Sequence, residues 1–244
     1  MSLLLAACNR QQVVPGECGK VSGADVCTWG EMSGNTLVAF GATVPIASIG
    51  NAAADAPMVW PPVVATVIPL PDAVQSGTGF RVLRVYWEAH GHPPGPFLVP
   101  HFDFHFYVVP PADVVAIDCA DSLKPSALAA GYGLPDVTIP QIGTLRGLCV
   151  PQMGMHSLPE TELRATQPFQ KTMVVGYYHG QNIFVEPMVT RAILLERRSF
   201  TLDVPVVPGQ PANTRYPTRF RADYDSTAQA YRFVFSEFTG SRAP

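Results

Sequence analysis

Between Pro100 and Val108 the chain reads HFDFHFY, with His101, Asp103 and His105 at alternate positions and Phe102, Phe104 and Phe106 between them. Successive side chains of an extended strand point to opposite faces, so this period gathers three polar groups on one face and three phenylalanines on the other. The phenylalanine face demands a core, and the opposite face offers imidazole and carboxylate groups from a rigid base. Neighbours two apart on that face sit about 7 Å from each other, close enough to converge on one cation.

The rest of the chain carries the same signature. Residues 36–42, 63–70 and 80–88 read as strands, the third with Leu83, Val85 and Trp87 on one side and Arg84, Tyr86 and Glu88 on the other. KTMVVGYYHGQNIFVEPMV predicts a hairpin around His179-Gly180, and the run TRFRADY, DSTAQA, YRFVFSEF predicts a second. Helix is confined to one short piece at most within SLKPSALAAGYG, and to a turn or two through RAILLERR with Thr190 as its cap. With 25 prolines, 20 glycines and only 14% charged residues, the composition suits many short strands and turns. The expected fold is all-β, an antiparallel β-sandwich or jelly-roll-like barrel with minor helix. No charge block or Gly/Ser linker divides the 244 residues, and a net charge of -3 gives no basic footprint, so nucleic acid is not an expected partner.

At the N-terminus, Leu5-Ala6-Ala7-Cys8 resembles the lipobox of bacterial lipoproteins, in which the cysteine is lipidated. The expected organisation is a truncated lipoprotein signal over 1–8, a tether over 9–17 and a single β domain over 18–244. Membrane contact is expected only through the lipid anchor, which puts the protein in the cell envelope or outside the cell. With Cys8 lipidated, four of the five cysteines remain, Cys18, Cys27, Cys119 and Cys149. Three pairings are open. The sequential one, Cys18–Cys27 and Cys119–Cys149, is preferred because the segment from 18 to 27 is a polar, Gly-bearing loop of the kind a bridge pins. No CxxC occurs, which leaves a zinc ribbon or a thioredoxin-like redox pair without support.

All six histidines fall between positions 90 and 179, four of them within EAHGHPPGPFLVPHFDFH. Imidazole nitrogen and carboxylate oxygen are ligands for zinc, iron and manganese. The expected cofactor is one such divalent transition metal, held by His101 and His105 together with His156 and Glu186, with His92 a further candidate ligand. Asp103 is either a ligand or the carboxylate that fixes an imidazole tautomer. One of His90 and His92 is expected to point outward, and His179, in a tight turn before Gly180, is expected in solvent.

Three blocks, WEAHGHPPGPFLVPHFDFHFY (87–107), MGMHSLP (153–159) and GYYHGQNIFVEPMVTRAIL (176–194), resemble the signatures of an uncharacterised bacterial family of exported proteins. That family is a domain of unknown function that includes a sigma-E-regulated Thermus protein. The resemblance spans residues 35–238, and its recurrent positions here are His92, His101, Asp103, His105, His156, Glu186 and Pro187. Glu88-Ala89 stands where the family has Asn-Pro, which leaves the role of Glu88 open. The resemblance implies an exported, β-rich protein that forms a ring-like homo-oligomer, and it implies no activity or substrate. The leading reading is an exported, lipid-anchored metal-binding β protein. One alternative is an envelope structural or interaction protein whose histidine and carboxylate cluster is a buried hydrogen-bonded network. The other is a hydrolase or lyase acting through a metal-bound water; GxSxG, P-loop and HExxH motifs are all missing, which leaves serine-hydrolase and nucleotide chemistry without support.

Overall fold

The computed structural model describes residues 11–240. Cys8 and its lipobox lie outside them. Two antiparallel sheets pack face to face. The first holds β1 (Gln11–Val21), β2 (Ala24–Ser33), β3 (Thr36–Pro45), β13 (Phe200–Asp203), β14 (Tyr216–Asp225) and β15 (Ala230–Thr239), in the order β1-β2-β3-β15-β14-β13. The second holds β4 (Val64–Pro69), β5 (Val82–Glu88), β6 (His101–Tyr107), β7 (Tyr132–Gly133), β10 (Met155–Pro159), β11 (Lys171–Tyr178) and β12 (Gln181–Thr190), in the order β4-β5-β6-β12-β11-β10-β7. A separate hairpin, β8 (Val137–Ile139) and β9 (Gly143–Leu145), lies in the connection between β7 and β10. The all-β sandwich expected from the alternating pattern is what forms.

The core lies between the sheets, and β6 shows how it is filled. Phe102, Phe104 and Phe106 are wholly buried. Phe104 meets Phe233 edge-on at 4.9 Å and Phe106 meets Phe235 at 5.0 Å, so both bridge to β15 of the facing sheet. Each such burial contributes about 1.5–3 kcal/mol and fixes the register, because a slip of one residue would drive imidazoles into this core. On β5, Leu83, Val85 and Trp87 pair with Phe106, Phe104 and Phe102 and share their face.

Helix is limited to short pieces: α1 (Ile46–Gly50), α2 (Asp72–Thr78), α3 (Pro111–Val115), α4 (Glu160–Leu163) and α5 (Arg191–Leu195), besides two 3-10 turns. No helix among the described residues is long and apolar enough to cross a membrane. Thr190 caps α5 as expected, its hydroxyl accepting from the Ile193 amide. The piece considered within SLKPSALAAGYG does not form; that stretch is irregular and ends in β7. The hairpin at His179-Gly180 has both residues at positive φ, as a tight two-residue turn requires.

One boundary changes. The tether expected over 9–17 is, from Gln11 onward, part of β1, an edge strand paired to β2. Pro15 fits there because an edge strand tolerates proline where its N–H is not needed, and the β1–β2 register shifts between Pro15 and Cys18.

Both expected disulfides are present. Cys18–Cys27 ties directly facing positions of β1 and β2, and Cys119–Cys149 ties the segment after α3 to the segment before β10. Such bridges belong to an oxidising compartment outside the cytoplasm.

Candidate metal centre

The polar face of β6 is the outer face of its sheet, and it too is buried, under loops instead of a second sheet. Backbone pairing decides which side chains join it. On β5, Arg84, Tyr86 and Glu88 lie opposite His105, Asp103 and His101. On β12, the register that sets Val185 against Phe106 and Met188 against Asp103 carries Glu186 onto the face of His105. Val174 pairs with Glu186, and His156 on β10 pairs with Gly176 two residues along β11, so His156 shares that face as well.

These side chains form two triads, each of two histidines and one carboxylate, with ligand atoms all within 4.8 Å of one another. In the inner triad, His105 Nε2 lies 3.3 Å from His156 Nε2 and 3.4 Å from Glu186 Oε2, and His156 Nε2 lies 4.0 Å from the same oxygen. In the outer triad, His101 Nε2 lies 3.3 Å from Asp103 Oδ1, and His92 Nε2 lies 4.0 Å from Asp103 Oδ2. Bonds of 2.0–2.2 Å to a tetrahedral ion set ligand atoms about 3.3–3.6 Å apart, so the shorter contacts already match and the longer ones need a modest contraction.

A single ion shared by His101 and His105 is therefore not what the fold offers. The two residues are four apart on one strand, about 13 Å, and strand side chains stand perpendicular to the sheet, so each histidine serves its own triad. Asp103 goes to His101, Glu186 to His105 and His156. His92, named as a member of the single site, belongs with His101 and Asp103.

Gly91 explains why His92 points in and His90 out. Its φ is +67°, and a Cβ there would stand 2.1 Å from the Phe97 carbonyl oxygen, so only glycine permits the tight fold of the rim. The His92 amide donates to that same carbonyl at 3.1 Å. His90 is exposed, as is His179, which turns back to pair with Asp121.

Three of the four triad histidines are oriented by the backbone. The Nδ1 atoms of His92, His101 and His156 lie 3.0, 2.6 and 3.0 Å from the carbonyls of Pro93, Val99 and Leu148. A carbonyl only accepts, so each Nδ1 carries the proton and each Nε2 presents its lone pair to the triad. His101 Nε2, Asp103 Oδ1 and Glu186 Oε2 are buried and have no hydrogen-bond partner among the described residues. Groups of this kind are costly to bury unless something satisfies them.

Burial sets the protonation. It lowers His101 and His105 well below the usual imidazole range and takes His156 down to about 4, so all three are neutral and ready to ligate. Burial also raises Asp103 and Glu186 well above the carboxylate range, with Glu88 adding repulsion to both and Asp103 adding to Glu186, and it lifts Glu88 itself to about 7. A divalent cation reverses that preference, because its charge favours the ionised carboxylates.

The inner triad is walled by rings. His105 has Phe184 at 4.7 Å, Tyr86 at 5.1 Å and Tyr107 at 5.7 Å, and Phe184 also lies 5.1 Å from His156. Gly176 makes room for that phenylalanine: a Cβ there would sit 1.9 Å from the Phe184 ring. Arg84, opposite His105 on β5, donates to the Gln152 carbonyl at 2.8 Å. The sequence had shown Arg84, Tyr86 and Glu88 sharing one side of β5, but not that β5 is the neighbour of β6. The Cys119–Cys149 bridge anchors the residue next to Leu148, whose carbonyl orients His156.

No known protein family, curated protein or solved structure matches this chain.

Proposed function

We propose that this is a metal-binding protein of an oxidising compartment, holding a divalent transition metal, zinc, iron(II) or manganese(II), in the two-histidine, one-carboxylate triads on the buried outer face of the β6 sheet. One observation carries the reading: in both triads imidazole Nε2 atoms approach carboxylate oxygens to 3.3–4.0 Å in a buried setting, with several of those atoms lacking any other partner among the described residues. Ligating histidines usually give their other N–H to a carbonyl or carboxylate, and three of these four do. A site of three protein ligands also leaves room for a bound water, whose pKa zinc lowers toward neutrality, so hydrolase or lyase chemistry is compatible with the ligand set.

The test is elemental analysis of protein purified without an affinity tag, then reloaded with each metal in turn. Stoichiometric binding, lost stepwise in His101→Ala and His156→Ala, is the expected result. If none of the three metals bound stoichiometrically, the reading would be overturned in favour of a metal-free network. One observation favours that second reading: burial favours the protonated forms of Asp103 and Glu186, and a protonated carboxyl can donate to the imidazole beside it, at 3.3 Å for Asp103 and 3.4 Å for Glu186.

Location in the cell envelope is part of the proposal. It is supported by the two disulfides and by the lipobox-like Leu5-Ala6-Ala7-Cys8, with Cys8 as the lipid attachment point.

A further inference from the structure

We propose that the outer triad, His92–His101–Asp103, holds its metal with one coordination position open to a small apolar cavity, and that this position takes an exogenous ligand of two or three heavy atoms. The inference rests on the metal reading above and adds which triad is reactive and what can reach it.

A cavity of about 30 Å³ lies between the sheet face and the covering loops. Its polar lining is Glu88, His92, Asp103 and His156; the remaining wall is apolar, with Trp60, Leu148 and Met153 prominent. Two of the three outer ligands border it. Of the inner ligands only His156 does, and His105 and Glu186 are sealed at 0% and 1% exposure behind Phe184, Tyr86 and Tyr107. The outer triad thus has two ligands beside free space, as a reactive metal site requires, while the inner one meets that space only through His156.

The size of the space limits the ligand. One water needs roughly 10–15 Å³ by the same measure, so about 30 Å³ admits two waters or a diatomic or linear triatomic molecule, and no ring. Access is legible too. Glu88 and Pro62 border both this cavity and a groove of about 480 Å³ that opens to solvent beside Met58 and Val63. Glu88 lies opposite His101 in the β5–β6 register, at the junction of groove and cavity, where its carboxyl can hydrogen-bond the incoming ligand.

The experiment uses the full chain loaded with cobalt(II), whose visible bands report coordination. Metal content is measured first, then azide, a linear triatomic probe, and imidazole, a ring, are titrated separately. Saturable band shifts with one equivalent of azide and none with imidazole are expected. His92→Ala should weaken azide binding by about 10-fold or more, while His179→Ala, exposed and outside both triads and the cavity, should leave it intact; Trp60→Ala, which removes part of the cavity wall, should let imidazole in. Failure to bind cobalt at all would overturn the metal reading and this inference with it. Cobalt bound without any azide response would overturn the open position alone. An azide response lost in His156→Gln and kept in His92→Ala would assign the opening to the inner triad, and an equal response to imidazole in the unmodified protein would overturn the size limit.

Discussion

Two triads of the same composition stand on one strand, and they differ in what the neighbouring strands and loops bring to them. The inner one receives three of its walls from strands: Tyr86 from β5, Tyr107 from β6 itself and Phe184 from β12. The outer one is completed by a loop residue, His92, whose side chain is 27% exposed, and it borders free space. Identical ligand chemistry therefore does not set accessibility. What sets it is whether the third ligand comes from the rigid sheet or from its rim.

The comparison fails altogether if the shared base is removed. Phe104→Ala takes a fully buried ring from between the sheets and is expected to cost about 3–5 kcal/mol, lowering the denaturation midpoint and loosening both triads at once. Retention of one triad with loss of the other in this variant would show that β6 does not act as a common platform. Next in size is the Cys119–Cys149 bridge. Replacing both cysteines by serine is expected to cost about 3–4 kcal/mol by the chain-entropy estimate for its 30-residue span. Since the bridge steadies the segment that orients His156, metal should be lost from the inner triad before the outer, as read by elemental analysis in rising denaturant.

Gly91→Ala sharpens the contrast from the other side. The added methyl meets the Phe97 carbonyl and displaces His92, so affinity at the outer triad should fall by about 10- to 100-fold, with the inner triad unchanged by competitive chelator titration. The smallest effect at any one pH concerns protons. In metal-free protein the folded pKa values of Asp103 and Glu186 are raised above the ordinary 3.8 and 4.5, so the stability they contribute is complete below those values and is lost as pH climbs through the folded ones. His156 runs the other way: its contribution is complete above 6.5 and is lost as pH falls toward about 4. Above pH 6.5 only the carboxyls still change, so metal-free stability should decline as pH rises, by about 1.4 kcal/mol per pH unit for each carboxyl still protonated. Urea midpoints from pH 6.5 to 9 measure this; saturating zinc should flatten the decline, and Glu186→Gln should remove part of it.

The alternation of β6 was open to sequence reading because its period is unambiguous and both faces are committed, and the disulfides because few pairings were possible. Other parts were hidden for physical reasons. The outcome for His90 and His92 depends on a positive φ at Gly91, which sequence permits but does not require. The division into two triads depends on strand neighbours: Glu186 and His156 reach His105 only because β12 and β10 lie where they do in the sheet, and pairing order is not written in any one segment. Glu88 was left without a role until the β5–β6 register set it opposite His101. Residues 11–17, expected as part of a tether, are strand instead, because a sheet edge accepts a proline whose N–H is not needed.

His101-Asp103-His105 is a palindrome, and its central carboxylate stands about 7 Å along the strand from either imidazole. Nothing in those five residues tells Asp103 which way to turn. The choice is made from β12, where Glu186 already faces His105 and leaves the other direction vacant. One residue on a neighbouring strand thus breaks the symmetry of the motif; without it, two histidine pairs would contend for a single anion, and two candidate metal stations would become one, shared and ambiguous.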